Sequence, residues 1–197
     1  MTNKKKKTMA TVLIMAVVVV TIAVAFWQIM QKRHAQQDAS DGKQSEIQTL
    51  LDMDFTNDYP GTPREVIKVY SRITSCLYNQ SMSDQKQEAL VEKMRELFDE
   101  ELKNSNPQKD QMEDLRADIK EYKKAKRSIS SYMIEKNSSV VKQKVKEKEC
   151  ASLCASYLLQ EGSAYKKSTE KFLLCKDKKG KWKILGWELV STNDKDK

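Results

Sequence analysis

Apolar positions change their spacing twice along the chain, and each spacing predicts a different kind of structure. From Thr8 to Gln31 no side chain ionises, and the run Met9–Met30 (MATVLIMAVVVVTIAVAFWQIM) is apolar almost without a break. A bilayer core takes about 20 apolar residues of helix, because lipid offers no partner for backbone N–H and C=O groups. Residues 9–30 are therefore expected to form a transmembrane helix. It follows a basic tail at residues 1–8 and leads into a polar stalk at residues 31–44, rich in Gln, Asp and Ser.

A 3.6-residue period governs the next part. Ser45 to Phe55 offers a short helix with Ile47, Leu50 and Leu51 on one face, and Asn57–Gly61 is a turn. Thr62-Pro63-Arg64-Glu65 is a capping box with Pro at the first helical position, opening a stripe of Val66, Val69, Tyr70, Ile73, Cys76 and Leu77. Ser81 and Ser83 are candidate caps for a second helix, striped by Leu90, Val91, Met94, Leu97, Phe98 and Leu102. Asn106-Pro107 opens a third, striped by Met112, Leu115, Ile119 and Tyr122. Each stripe covers one face, so each helix must bury it against something else.

From about Arg127 the period falls to two. Ser128–Glu135 predicts a first strand, and Asn137–Ser139 a turn. The stretch Val140–Leu159 reads as one long strand. Its odd positions (Val141, Val145, Leu153, Tyr157) face a core, and Lys142, Lys144, Lys146 and Lys148 face solvent. Glu161-Gly162-Ser163 turns into Tyr165–Cys175, and Asp177–Gly180 is a hairpin signal before a last strand, Trp182–Val190. In that strand Trp182 and Ile184 take one face while Leu185, Trp187 and Leu189 take the other. Either a bulge near Gly186 resets the register, or both faces are covered, as in a homodimer. Helices followed by strands make residues 45–191 one α+β domain, with a polar tail at 192–197.

Charge fixes the orientation expected of the anchor. Lys4–Lys7 supply half of the formal net charge of +8, and by the positive-inside rule they place the N-terminus in the cytoplasm and the domain outside. Lys32 and Arg33 on the far side weaken this asymmetry without reversing it. A cleavable signal peptide is the rival, since Ala23-Val24-Ala25 has the A-x-A form. The apolar run continues to Met30, beyond an ordinary signal core, which favours an uncleaved anchor. No Cys follows the run directly, so a lipoprotein is not expected. In the remainder, bases and acids alternate with no concentrated basic face, so nucleic acid is not an expected partner.

Helices first, then antiparallel strands ending in Asp177-Lys178-Lys179-Gly180-Lys181-Trp182-Lys183-Ile184, resemble the nuclear-transport-factor-2-like (NTF2-like) superfamily over roughly Pro60–Val190. The resemblance implies a cone: about three helices packed on a curved antiparallel sheet of about four strands. Asp58–Val66 and Lys181–Glu188 are further similar to an uncharacterised family of membrane-anchored proteins from Gram-positive bacteria. That family has no assigned activity, so it carries no catalytic residues across.

Candidate chemistry is sparse. The single histidine, His34, lies in the stalk, so a Ser-His or Cys-His hydrolase lacks a base within the domain. The five glycines are scattered at turns, without a phosphate-cradling loop. No cofactor or metal is expected. Cys76 sits on an apolar stripe and reads as a buried thiol. Cys150 and Cys154 lie about 13 Å apart along a strand and cannot bridge each other. Cys175 returns near the level of Cys150, where a cross-strand disulfide is one reading and small apolar packing residues the preferred one.

Glu147 and Glu149 share parity with Val141 and Leu153, so either could line the mouth of the cone. A strand end in solvent, or a bulge that turns both outward, is the plainer account. Trp187 with Glu188 is the next pocket candidate, and Tyr157 the partner of the glutamates in an acid–base or small-molecule-binding pocket. The leading expectation is a non-enzymatic, membrane-anchored, extracytoplasmic binding or assembly module. Its partners are the membrane through residues 9–30 and a second copy or an envelope protein. A component of an envelope secretion or conjugation apparatus, with type IV secretion-like architecture, is the alternative from another class.

Overall fold

The computed structural model describes residues 45–145 and 147–190. The expected basic tail, membrane helix and stalk, and the tail at 192–197, lie outside those residues. Among the described residues no helix is long and apolar enough to cross a membrane. The chain divides into two units, Met1–Ser45 and Glu46–Lys197, and the architecture belongs to the second.

Five helices precede the sheet among the described residues: α1 Glu46–Leu51, α2 Pro63–Asn79, α3 Asp84–Arg95, α4 Glu100–Ser105 and α5 Gln108–Lys124. The strands are β1 Arg127–Ile134, β2 Val141–Val145, β3 Lys148–Glu161, β4 Ala164–Lys176 and β5 Trp182–Leu189. They form one curved antiparallel sheet in the order β1-β3-β4-β5. β2 also pairs with β3, along Lys148–Ser152, while β1 pairs with it along Ala155–Glu161. The α+β class and the helix-before-strand order are as expected, with five strands in place of about four.

The capping box holds α2 at its start. Glu65 N donates to Thr62 Oγ1 at 3.2 Å, and Thr62 N donates to Glu65 Oε2 at 3.0 Å, so two otherwise orphaned N–H groups are satisfied. Thr62→Ala is expected to cost about 1 kcal/mol in chemical denaturation. A loss below about 0.3 kcal/mol would mean that the cap does not hold this helix. α2 buries Val66, Ile67, Ile73 and Leu77 against the sheet. At its other end Asn79 is clamped to β1: its amide donates to Ile129 O at 2.8 Å and its Oδ1 accepts from Ile129 N at 2.8 Å. That exchange sits beside a bulge between Ile129 and Ser131, where β1 loses regular pairing with β3.

Three expectations need correction. The second helix, expected to run through Leu102, stops at Arg95. Ile184 N donates to Leu97 O and Asp99 N to Ile184 O, each at 2.8 Å, so the chain at 97–99 lies against β5 as a short parallel partner. Pairing there covers part of an edge that would otherwise stand open. It also buries Leu97 and Phe98 without a helical stripe. The long strand Val140–Leu159 is in fact two, β2 and β3, broken by a turn in which Glu147 takes φ 66°. The break inverts parity: Val141 pairs with Ser152 and is 59% exposed, while Ala151 and Leu153 are buried. Finally, Cys150 and Cys175 stand directly opposite in β3 and β4 and form a disulfide, which overturns the preferred reading of them as packing residues. Cys76 is a buried free thiol, as expected, and burial pushes it up to about 11.

The ambiguity in β5 is resolved by a bulge. Leu173 pairs with Gly186 and Leu174 with Ile184, leaving Leu185 as the extra residue. Trp187 then pairs with Phe172 and returns to the helix-facing side. No second cover is needed to explain the pattern.

Candidate functional site

The helix-facing side of the sheet is built by alternation. On β4, Ser168, Glu170, Phe172 and Leu174 point the same way, and opposite them on β3 stand Tyr157, Ala155, Leu153 and Ala151. Toward Leu174 this face is sealed, with Phe172, Leu174, Ala151 and Ala155 each 0% exposed. Toward Ser168 it is not. There α2, α3 and α5 stand off from the sheet around a cavity of about 340 Å³.

Aromatic rings and carboxylates dominate this cavity. Tyr70 and Tyr78 come from α2, Tyr122 from α5, Tyr157 from β3 and Trp187 from β5. Tyr70 and Trp187 lie with ring centroids 5.6 Å apart, Tyr78 and Tyr122 at 4.5 Å. Asp114 and Asp118 stand one turn apart on α5, and Glu170 faces them from the sheet. The Tyr78 hydroxyl donates to Asp118 Oδ2 at 3.3 Å, and Tyr157 Oη lies 2.9 Å from Ser71 Oγ.

Glu170 is the group out of its ordinary state. No donor among the described residues bonds its carboxylate, and burial pushes it up to about 7. The surrounding phenols are raised too. Burial is the main cause for Tyr70, Tyr78, Tyr122 and Tyr157, and the charge of Glu170 adds to it in each. The carboxylate therefore lies within electrostatic reach of all four rings.

Of the residues picked out from sequence, Tyr157 and Trp187 line this cavity and the other three do not. Glu147 is in the β2–β3 turn and exposed. Glu149 accepts from Lys176 Nζ at 2.8 Å, which holds its carboxyl below the usual range. Glu188 pairs with Lys171, and both line a hollow of about 480 Å³ with Val141 and Leu185. Glu147 is carried out by the turn, Glu149 stands at the exposed start of β3, and Glu188 takes the face of β5 opposite to Trp187. Glu170, Asp114 and Asp118 were missed, although Glu170 carried a readable signal: it shares parity with Phe172 and Leu174.

A larger hollow, about 760 Å³, lies between Tyr59 and the Asp177–Gly180 turn. Four of its six lysines are engaged by the fold, Lys183 through a bond from its Nζ to Glu96 O. Lys103 pairs with Glu100, Lys148 with Asp99, and Lys181 Nζ donates to Phe55 O. The smaller cavity, with an unpaired carboxylate inside, is the better candidate site.

The fold and cavity together define a helix-covered antiparallel α+β domain with an acidic, aromatic-lined cup. The chain belongs to the family described as Domain of unknown function (DUF6715), which matches residues 1–187. No curated protein matches it.

Proposed function

We propose that this protein is a membrane-tethered, extracytoplasmic binding domain of NTF2-like form, non-enzymatic, which takes a small ligand into the cup between its helices and sheet. The observation that carries the reading is the cavity of about 340 Å³ around an unpaired carboxylate. Burying an ionisable group without a partner is unfavourable for folding alone, so its retention fits a site completed by a ligand. Order of elements and sheet curvature support the NTF2-like form. The apolar run 9–30 behind Lys4–Lys7 supports the tether. The Cys150–Cys175 pair supports an oxidising location, since cytoplasmic thiol pools keep such pairs reduced.

Two measurements test the reading. In cells the full chain should stay with membranes after alkaline extraction, and protease added from outside should remove the domain. Release by alkali, or protection from protease, would sink the tether or its orientation. In a thermal-shift screen, some small ligands should raise the melting temperature of the wild type and not that of Ser168→Trp, which fills the cup. Turnover of a ligand by the purified chain would overturn the non-enzymatic assignment.

A further inference from the structure

The chemistry of the cup's wall narrows the ligand. Three of its lining side chains are carboxylates and none is Lys, Arg or His, in a chain whose 36 Lys and Arg outnumber its 28 Asp and Glu. Two arginines touch residues of the wall, and both are committed: Arg127 donates to Glu161 from two nitrogens and lies 5.1 Å from the Tyr122 ring centre, and Arg95 donates to Asn106 O, Lys103 O and Gln111 Oε1. Burial is the one influence on Glu170, with no cation close enough to offset it. The wall thus offers negative charge and keeps the protein's own positive charge out.

Ring faces supply the rest. Tyr70, Tyr78, Tyr122, Tyr157 and Trp187 line the same space. A cation over such faces is attracted by the ring quadrupole, more strongly where water is excluded. An anion would meet three carboxylates and no counter-charge. A bare metal ion fits no better, because no group of three His, Cys, Asp or Glu among the described residues could hold one. The carboxylates are spread along the wall, an arrangement suited to an extended organic cation and not to a point charge. The volume lies at the low end of the range for ligand pockets, about 300–1,000 Å³, which calls for a small molecule.

We infer that the cup binds a small organic ammonium ion, with the charged nitrogen at Glu170 and the hydrocarbon part against the tyrosine and tryptophan rings. The inference rests on the binding reading above and names its ligand class. The ammonium group replaces the counter-charge that the fold withholds from Glu170, and its alkyl or aryl body displaces water from the rings.

Three probes of one shape and different charge separate the outcomes: benzylammonium, benzyl alcohol and benzoate. Each is titrated calorimetrically into the full chain in a non-ionic maltoside detergent at pH 8. Benzylammonium should bind at least about tenfold more tightly than benzyl alcohol, with benzoate weakest, since every tenfold step is about 1.4 kcal/mol. Glu170→Gln should reduce benzylammonium affinity by at least about tenfold and leave benzyl alcohol within about twofold. If benzyl alcohol or benzoate binds as well as the cation, the cup binds ligands but the ammonium assignment is wrong. If the Gln variant keeps full affinity for the cation, Glu170 is not its partner and the inference falls. If none of the three binds, the inference falls together with the binding reading.

Discussion

Glu170→Gln is expected to stabilise the ligand-free domain by up to about 3 kcal/mol above pH 7 and by almost nothing below pH 4. Burial raises the folded-state carboxyl from its ordinary 4.5 to about 7. At low pH both folded and unfolded chains carry the proton, and the site contributes no pH dependence. Between 4.5 and 7 the unfolded chain releases the proton while the folded chain keeps it, so stability falls with rising pH. The slope there approaches about 1.4 kcal/mol per pH unit for one proton. Above the folded value both states are ionised, and the full penalty of holding a carboxylate among Tyr70, Tyr78, Tyr122 and Tyr157 remains. A neutral amide removes that penalty. Denaturation of wild type and variant across pH 4–8 checks it, and a difference that stays flat over the range would refute the burial of this charge. A stabilising substitution at a binding group is the usual mark of a site held ready for a partner.

Removing the disulfide should have the opposite sign and comparable size. Cys150 and Cys175 are 25 residues apart, and closing that loop restricts the unfolded chain by about 3.5 kcal/mol in the chain-entropy account. The double variant Cys150→Ala, Cys175→Ala is expected to melt about 7–14 °C lower, using about 2–4 °C per kcal/mol for a domain of this size. Both cysteines are buried, at 0% and 1% exposure. A thiol reductant should therefore act slowly on the native protein and rapidly once mild denaturant opens it. A double variant that melts within about 2 °C of the wild type would show that the bridge adds nothing to the β3–β4 pairing.

Much of the fold was legible because it is encoded locally. The box at Thr62 and Glu65, the serine cap before α3 and the Asp177–Gly180 turn each satisfy backbone groups within four residues. A reader of the sequence can find such partners. What failed were the places where a distant segment decides. The chain at 97–99 left its helix because β5 offered hydrogen bonds from a strand more than eighty residues away. The Val140–Leu159 run hid a turn because its alternation continues on both sides of Glu147 with changed sense. Glu147 stands on that turn and Glu149 in an ion pair, whereas Glu170 shares its parity with Phe172 and Leu174.

The sequence by itself determined the class of the domain, the positions of the long helices and most of the turns, because spacing and capping act over a few residues. It also set apart the apolar stretch at 9–30 from everything that follows. Only the tertiary structure decided that Cys150 meets Cys175, that Trp187 turns back toward the helices, and that three carboxylates from α5 and β4 enclose a space ringed by tyrosines. Register and helix stand-off are collective properties of the packed sheet. No window of neighbouring residues contains the distances on which they depend.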